Sequence, residues 1–229
     1  MSKKPVYLLA GGRGNNDPSP IFRAVMRDIG KDKPVIAYVG AANGDNPDFM
    51  GRMGGMITQV GRSNLVHAPF TGRINKAKSI EILKTADAIF VSGGDVEAGM
   101  KVLEDKGVTG VFAELYSEGK LFFGISAGSI MLAKEWVRWT NPDDDSTAEL
   151  FKCLGVAPVI CDTHGEGDEW EELRAALMLK KAGAIGYGIT SETCLKCYPT
   201  GEMEALGGGI ARFVRRKDGI ELEADLVPL

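Results

Sequence analysis

Short apolar runs, closed by glycine or a polar turn, alternate with segments of helical period through three quarters of the chain. No other feature limits the possible folds as strongly. The runs at 5–10, 34–39, 64–68, 87–92, 120–124 and 156–162 have the length and content of strands buried on both faces. Helical patterns lie near 20–29, 47–60, 76–85, 95–105, 109–118, 127–136 and 168–182, the last with Trp170, Leu173 and Leu177 on one stripe. Parallel strands need long crossovers, and helices supply them, so the alternation predicts an α/β fold: a doubly wound, mostly parallel sheet with helices on both faces. Beyond Gly183 the runs shorten and alternate, at 184–189, 193–198 and 209–216, with turn signals at Thr200-Gly201 and Asp218-Gly219. This predicts an antiparallel C-terminal hairpin region. The stretch Asn141-Pro142-Asp143-Asp144-Asp145 reads as an exposed loop. Without a repeat or a low-complexity linker, the 229 residues read most economically as one domain, 1–229.

Composition removes several classes of function. Lysine and arginine number 27 against 31 acids, a net charge of -4 that offers no attraction to phosphate backbones or anionic lipid. Neither nucleic acid nor a membrane surface is an expected partner. No apolar stretch nears the roughly 20 residues that cross a bilayer, and the first run, Val6 to Ala10, is broken by Gly11-Gly12-Arg13 before it reaches signal-peptide length. Four cysteines, at 153, 161, 194 and 197, make no disulfide framework and fit a reducing, cytoplasmic setting. Cys194 and Cys197 form a C-x-x-C, but in the strand-like stretch Thr193 to Tyr198 an odd separation points them to opposite faces. Neither metal binding nor redox use is expected of them, and the chemistry below requires no cofactor.

The stretch Leu121-Phe122-Phe123-Gly124-Ile125-Ser126-Ala127-Gly128-Ser129-Ile130-Met131-Leu132 is an apolar strand, a small-residue turn and an amphipathic helix in succession. That is the setting of a G-x-S-x-G nucleophile elbow, in which flanking glycines admit a strained corner that lifts a serine hydroxyl above the carboxyl end of the sheet. The helix N-terminus beneath offers unpaired N–H groups to a developing oxyanion. The bland alternative is an ordinary strand-to-helix turn.

Serine needs a base, and the chain holds two histidines. His164 follows a strand and precedes the glycine-broken Gly165-Glu166-Gly167, which puts it at a carboxyl strand end where open-sheet sites assemble. His67 closes an apolar run and reads as a hydrogen-bonded structural residue. Val91-Ser92-Gly93-Gly94-Asp95, another glycine-rich strand end, suits a second oxyanion donor, with Asp95 as a cap of the next helix. The acid that orients the base is left open by the residues alone. Glu192, after the strand Ala184 to Ile189, is the first choice; Glu135, Asp143, Asp144, Asp145, Glu149 and Asp162 are alternatives.

These pieces together resemble peptidase family S51, the family of aspartyl dipeptidase (peptidase E) and cyanophycinase. The resemblance rests on Val91-Ser92-Gly93-Gly94-Asp95, Gly124-Ile125-Ser126-Ala127-Gly128, Trp139-Thr140-Asn141, His164 before Gly165-Glu166, Ile185-Gly186-Tyr187-Gly188 and Leu206-Gly207-Gly208. It implies a fold like that of class I glutamine amidotransferases. It further implies a Ser126, His164, Glu192 triad and an oxyanion hole of the Gly94 and Ala127 N–H groups; Gly93, Asp95, Asn141 and Arg174 are expected to contact substrate. A glutamate common in Gly-Ile/Leu-x-Glu segments of the family is Ser191 here, and Glu192 comes one residue later. Peptidase E is arginine-rich after its histidine; this chain reads Gly167-Asp168-Glu169-Trp170-Glu171-Glu172 with Arg174 alone, which disfavours an acidic substrate. The expected activity is hydrolysis of a small peptide or isopeptide substrate. A cyanophycinase-like β-aspartyl dipeptide hydrolase, another amidase or esterase, and a non-catalytic small-molecule binding module are the alternatives. Amidotransferase chemistry is disfavoured because the elbow carries serine where those enzymes place cysteine. Oligomeric state is left open, a homodimer included.

Overall fold

The computed structural model describes residues 2–11 and 17–228, so Gly12 and Arg13, expected to end the first apolar run, lie outside the described residues. The central sheet runs in the order β11 (Met203–Leu206), β10 (Cys194–Cys197), β1 (Val6–Leu9), β5 (Leu121–Ile125), β4 (Ala88–Val91), β2 (Val35–Val39), β3 (Asn64–His67). The five strands from β1 to β3 pair in parallel, and β10 and β11 extend one edge in antiparallel fashion.

Period-2 alternation sends neighbouring residues to opposite cores. Tyr7 and Leu9 of β1, with Tyr38, Phe90 and Phe123, pack under α1 (Ser19–Ile29) and α2 (Pro47–Val60). Val6 and Leu8, with Val39, Val91 and Phe122, pack on the other face beneath α3 (Lys76–Thr85), α4 (Val96–Asp105), α5 (Thr109–Ser117) and α6 (Ala127–Leu132). Both faces are therefore covered, as the apolar runs require. Cys194 and Cys197 likewise fall in separate cores, as free, buried thiols.

Two parts of the architecture depart from the expected elements. The helix expected over 127–136 stops at Leu132; Ala133 is extended, and the chain forms β6 (Glu135–Trp139), paired antiparallel with β7 (Ala148–Lys152). The 141–145 loop joins these strands. The C-terminal strands also divide between sheets. While β10 and β11 join the central sheet, β9 (Ile185–Ile189) pairs in parallel with β8 (Ile160–Thr163) and antiparallel with β12 (Ile210–Arg215), which β13 (Ile220–Leu226) flanks through the Asp218-Gly219 turn. The expected 168–182 helix is the shorter α7 (Glu171–Met178); Trp170, Leu173 and Leu177 do share a face, packed with Ile160 and Phe213 of the second sheet.

Candidate active site

Ser126 is the single residue between β5 and α6, and its backbone, at φ 54 and ψ -128, lies in a region that L-residues rarely occupy. Such strain costs of order 1–3 kcal/mol and persists only where the surroundings enforce it. Here the Ser126 N–H donates to Leu9 O at 2.8 Å, tying the corner to β1, and Ser129 Oγ donates to the same carbonyl at 2.8 Å. A Cβ on Gly128 would lie 2.1 Å from Val91 O, so α6 can settle against β4 only because that position has no side chain.

His164 stands just beyond β8, itself at positive φ (46°), with its N–H donating to Ile189 O at 2.9 Å. From the second sheet its Nε2 reaches to 2.8 Å from Ser126 Oγ. The two side chains expected to act together are thus in hydrogen-bond contact, although 38 residues separate them. For His164 to act as a base, Nε2 must carry the lone pair and Nδ1 the proton. His67 is spent elsewhere: its Nε2 is 3.0 Å from Asp45 Oδ1, while Asp45 Oδ2 accepts from the Phe70 and Thr71 N–H groups. Burial would raise the Asp45 pKa, but these hydrogen bonds outweigh it and hold the carboxyl below its ordinary range.

The β4-to-α4 turn lies alongside. A Cβ on Gly93 would be 3.2 Å from Ser126 Cβ, and Gly94, at φ 147, is exposed to solvent. Neither the Gly94 N–H nor the Ala127 N–H has an acceptor among the described residues, which leaves two backbone donors beside the hydroxyl. Asp95 accepts from Ala98 N–H at 2.8 Å, the capping role expected of it.

A cleft of about 470 Å³ opens over Ser126 and His164, large enough for a small peptide. Trp136, Arg138, Trp139 and Pro142 form a wall built on β6, the strand that replaces the end of the expected helix over 127–136. Five acidic residues lie in the remainder: Asp95, Glu97, Asp162, Asp168 and Glu172. The cation of the cleft, Arg138, is occupied by Glu149 at 2.7 Å and Glu97 at 3.6 Å. Asp162, only 5% exposed, accepts from Thr163 N–H through Oδ1, and its Oδ2 has no partner among the described residues. Burial, against the opposing Thr163 hydrogen bond and reinforced by Glu172, Asp168 and Glu166, pushes its pKa up to about 7.

Sequence comparison adds one deciding observation: the family model of peptidase family S51 matches residues 6–201. The chain belongs to peptidase family S51. Among solved structures, this S51 chain is similar to a peptidase from an acI-B1 Actinobacterium, with TM-score 0.70, 16% identity, and 98% and 97% of the two chains covered. It is also similar to a putative peptidase E protein from Listeria monocytogenes EGD-e, with TM-score 0.64, 14% identity, and 90% and 98% covered. These likenesses show a shared fold. A curated relative, the pyridoxal 5'-phosphate synthase subunit PdxT of Anoxybacillus flavithermus (strain DSM 21510 / WK1), is 26% identical over 103 residues, 45% of this chain. The match spans 48% of that protein's length.

Not every residue expected in the S51 site converges on it. Asn141 turns its side chain onto Asp143 N–H within its own loop, and Arg174 lines a neighbouring hollow with Met178 and Leu179. Neither is among the residues lining the Ser126 cleft. Glu192 sits in a left-handed turn (φ 66) after β9, its N–H donating to Gly11 O at 2.7 Å. Of the other candidate acids, Glu135 pairs with Lys180 at 2.6 Å, Glu149 with Arg138, and Asp144 caps Ser146 N–H, all in or beside the β6–β7 hairpin. Asp143 and Asp145 are exposed in its loop. No group of three or more histidine, cysteine or acidic side chains suited to a metal is found among the described residues, and none of their helices is long and apolar enough to cross a membrane.

Proposed function

We propose that this S51 peptidase hydrolyses small peptides in the cytoplasm through an acyl-enzyme on Ser126. The observation that carries this reading is the 2.8 Å contact between Ser126 Oγ and His164 Nε2 at a strained strand-to-helix corner. His164 takes the hydroxyl proton as Oγ attacks the substrate carbonyl carbon. The resulting oxyanion receives the Gly94 and Ala127 N–H groups, each such donor contributing about 2.7–4 kcal/mol to the transition state. His164 then returns the proton to the leaving amine, and a water activated by the same imidazole releases the acyl group.

Glu192 is the acid we assign to orient the imidazole. Its position at the end of β9, the strand that pairs with β8 and accepts the His164 N–H, supports the assignment. Asp162 suits the role less well: a carboxyl that holds its proton to about pH 7 gives little charge to stabilise an imidazolium.

The substrate class follows from charge. A cleft whose acids exceed its single, already paired guanidinium repels an acidic side chain and attracts a free ammonium or a basic side chain. The reading is tested by profiling unblocked dipeptides that vary the N-terminal residue, with Ser126→Ala protein as control. Turnover confined to the wild type and strongest for basic or neutral dipeptides supports it. Preference for N-terminal aspartate contradicts the substrate assignment, and turnover by the Ser126→Ala protein contradicts the nucleophile. No turnover of any peptide points to a binding module on the same fold.

A further inference from the structure

We infer that Asn43 is a positioning residue for this reaction: its carboxamide holds the Gly93–Gly94 peptide in the orientation that presents the Gly94 N–H to the carbonyl under attack. The inference rests on the reading of Ser126 as nucleophile.

Asn43 ends a short 3-10 turn, Ala41–Asn43, that follows β2. Its Nδ2 donates to Gly93 O at 2.8 Å and to Ser92 Oγ at 3.0 Å, with Tyr38 OH at 3.3 Å. The Tyr38 hydroxyl in turn donates to Ser92 Oγ at 3.0 Å, and both residues are wholly buried. Asn43 Oδ1 accepts from Asn46 N–H at 3.1 Å, which fixes the rotamer and which end of the amide faces Gly93. The carboxamide is therefore pinned at both ends.

In a trans peptide the C=O and N–H point in opposite directions. With the Gly93 carbonyl held on Asn43, the Gly94 N–H must point away from it. Gly94 lines the cleft, and the missing Cβ of Gly93 would be 3.7 Å from Ser126 Oγ, so this peptide lies beside the hydroxyl. A peptide between two glycines has little steric resistance to flipping. A flip would set a carbonyl oxygen where the oxyanion forms, replacing attraction by repulsion. The same turn holds the next peptide as well: Ala42 O accepts from Asp95 N–H at 2.8 Å, and a Cβ on Gly94 would lie 2.0 Å from that oxygen. Asn43 itself touches no reacting atom; it acts through the peptide it holds.

The test measures the second-order rate at which an alkyl fluorophosphonate phosphonylates Ser126, since the phosphoryl oxygen draws on the same donors as a peptide oxyanion. Wild type is compared with Asn43→Ala, which removes the donor, and Asn43→Asp, which keeps the shape but faces Gly93 O with an acceptor. The inference expects both variants to melt cooperatively and to label about 10- to 100-fold more slowly. On a cleaved dipeptide it expects the loss in kcat, with KM nearly unchanged. Wild-type labelling rates in either folded variant overturn it, as does a KM rise equal to the kcat loss, the pattern of general loosening. If the alanine variant does not fold, the near-isosteric Asn43→Asp decides. Failure of the wild type to label at Ser126 overturns the nucleophile, and the inference with it, which separates the two kinds of failure.

Discussion

The chain's two imidazoles differ in what they meet. His67 is engaged by a buried carboxylate at a sheet edge, His164 by a serine hydroxyl at the mouth of a cleft. His67→Ala is expected to leave turnover within a few-fold of wild type while lowering stability by about 1–2 kcal/mol, read from chemical denaturation. Loss of activity beyond tenfold in the folded variant would show that the wrong histidine has been taken as base. Asp162 makes a separate prediction. Its carboxyl keeps a proton to about pH 7 in the fold, against 3.8 as the ordinary value, so the folded state binds the extra proton between these limits. Its contribution to stability is therefore fullest below pH 4 and is lost as pH rises toward 7. Asp162→Asn removes that penalty, and we expect a gain on the order of 2–4 kcal/mol at pH 8 with little gain at pH 4. Equal effects at both pH values would contradict it. Residue types alone pointed to Ser126 and His164 because few others could serve. They put Glu192 first among seven acids without excluding the other six, since an orienting acid is chosen by where its oxygens lie.

At the level of elements, the elbow was legible because its glycines have a steric reason that sequence displays. Gly128→Ala is expected to displace α6 from β4, abolish fluorophosphonate labelling and cost more than about 3 kcal/mol, because its Cβ would overlap Val91 O. Gly110→Ala is the contrast. That position is exposed in α5, a Cβ there meets nothing within 4 Å, and the variant should gain about 0.5–1 kcal/mol. A loss at Gly110, or an unaffected Gly128 variant, would show that packing at these positions has been misread. The β6–β7 hairpin escaped sequence reading for a physical reason. Trp136 and Val137, adjacent in β6, are both buried, so the strand lacks the alternation that marks one, and Ile130 to Trp136 keep helical spacing.

At the level of the whole molecule, the proposed catalytic pair spans two sheets: Ser126 belongs to the corner after β5 and His164 to the end of β8. The parallel core was readable, because strands buried on both faces leave continuous apolar runs. Which C-terminal strand closes which sheet was not, since strand pairing depends on edges left open elsewhere in the fold. The charge of the assembled cleft predicts that kcat/KM for dipeptides with an N-terminal arginine or lysine exceeds that for aspartate by about tenfold or more. The advantage should shrink as salt rises from about 0.05 to 0.5 M. A preference indifferent to salt would place its origin in shape. The proposed hydrolysis depends on serine and histidine acting as one unit across the sheets. The direct measurement is kcat for Ser126→Ala, His164→Ala and the double variant on the best-cleaved dipeptide. We expect each single change to lower kcat by about 10⁴-fold or more and the double to be no lower than either single. A His164→Ala protein retaining a tenth of wild-type kcat, or a double variant whose loss is the product of the two single losses, would contradict the account.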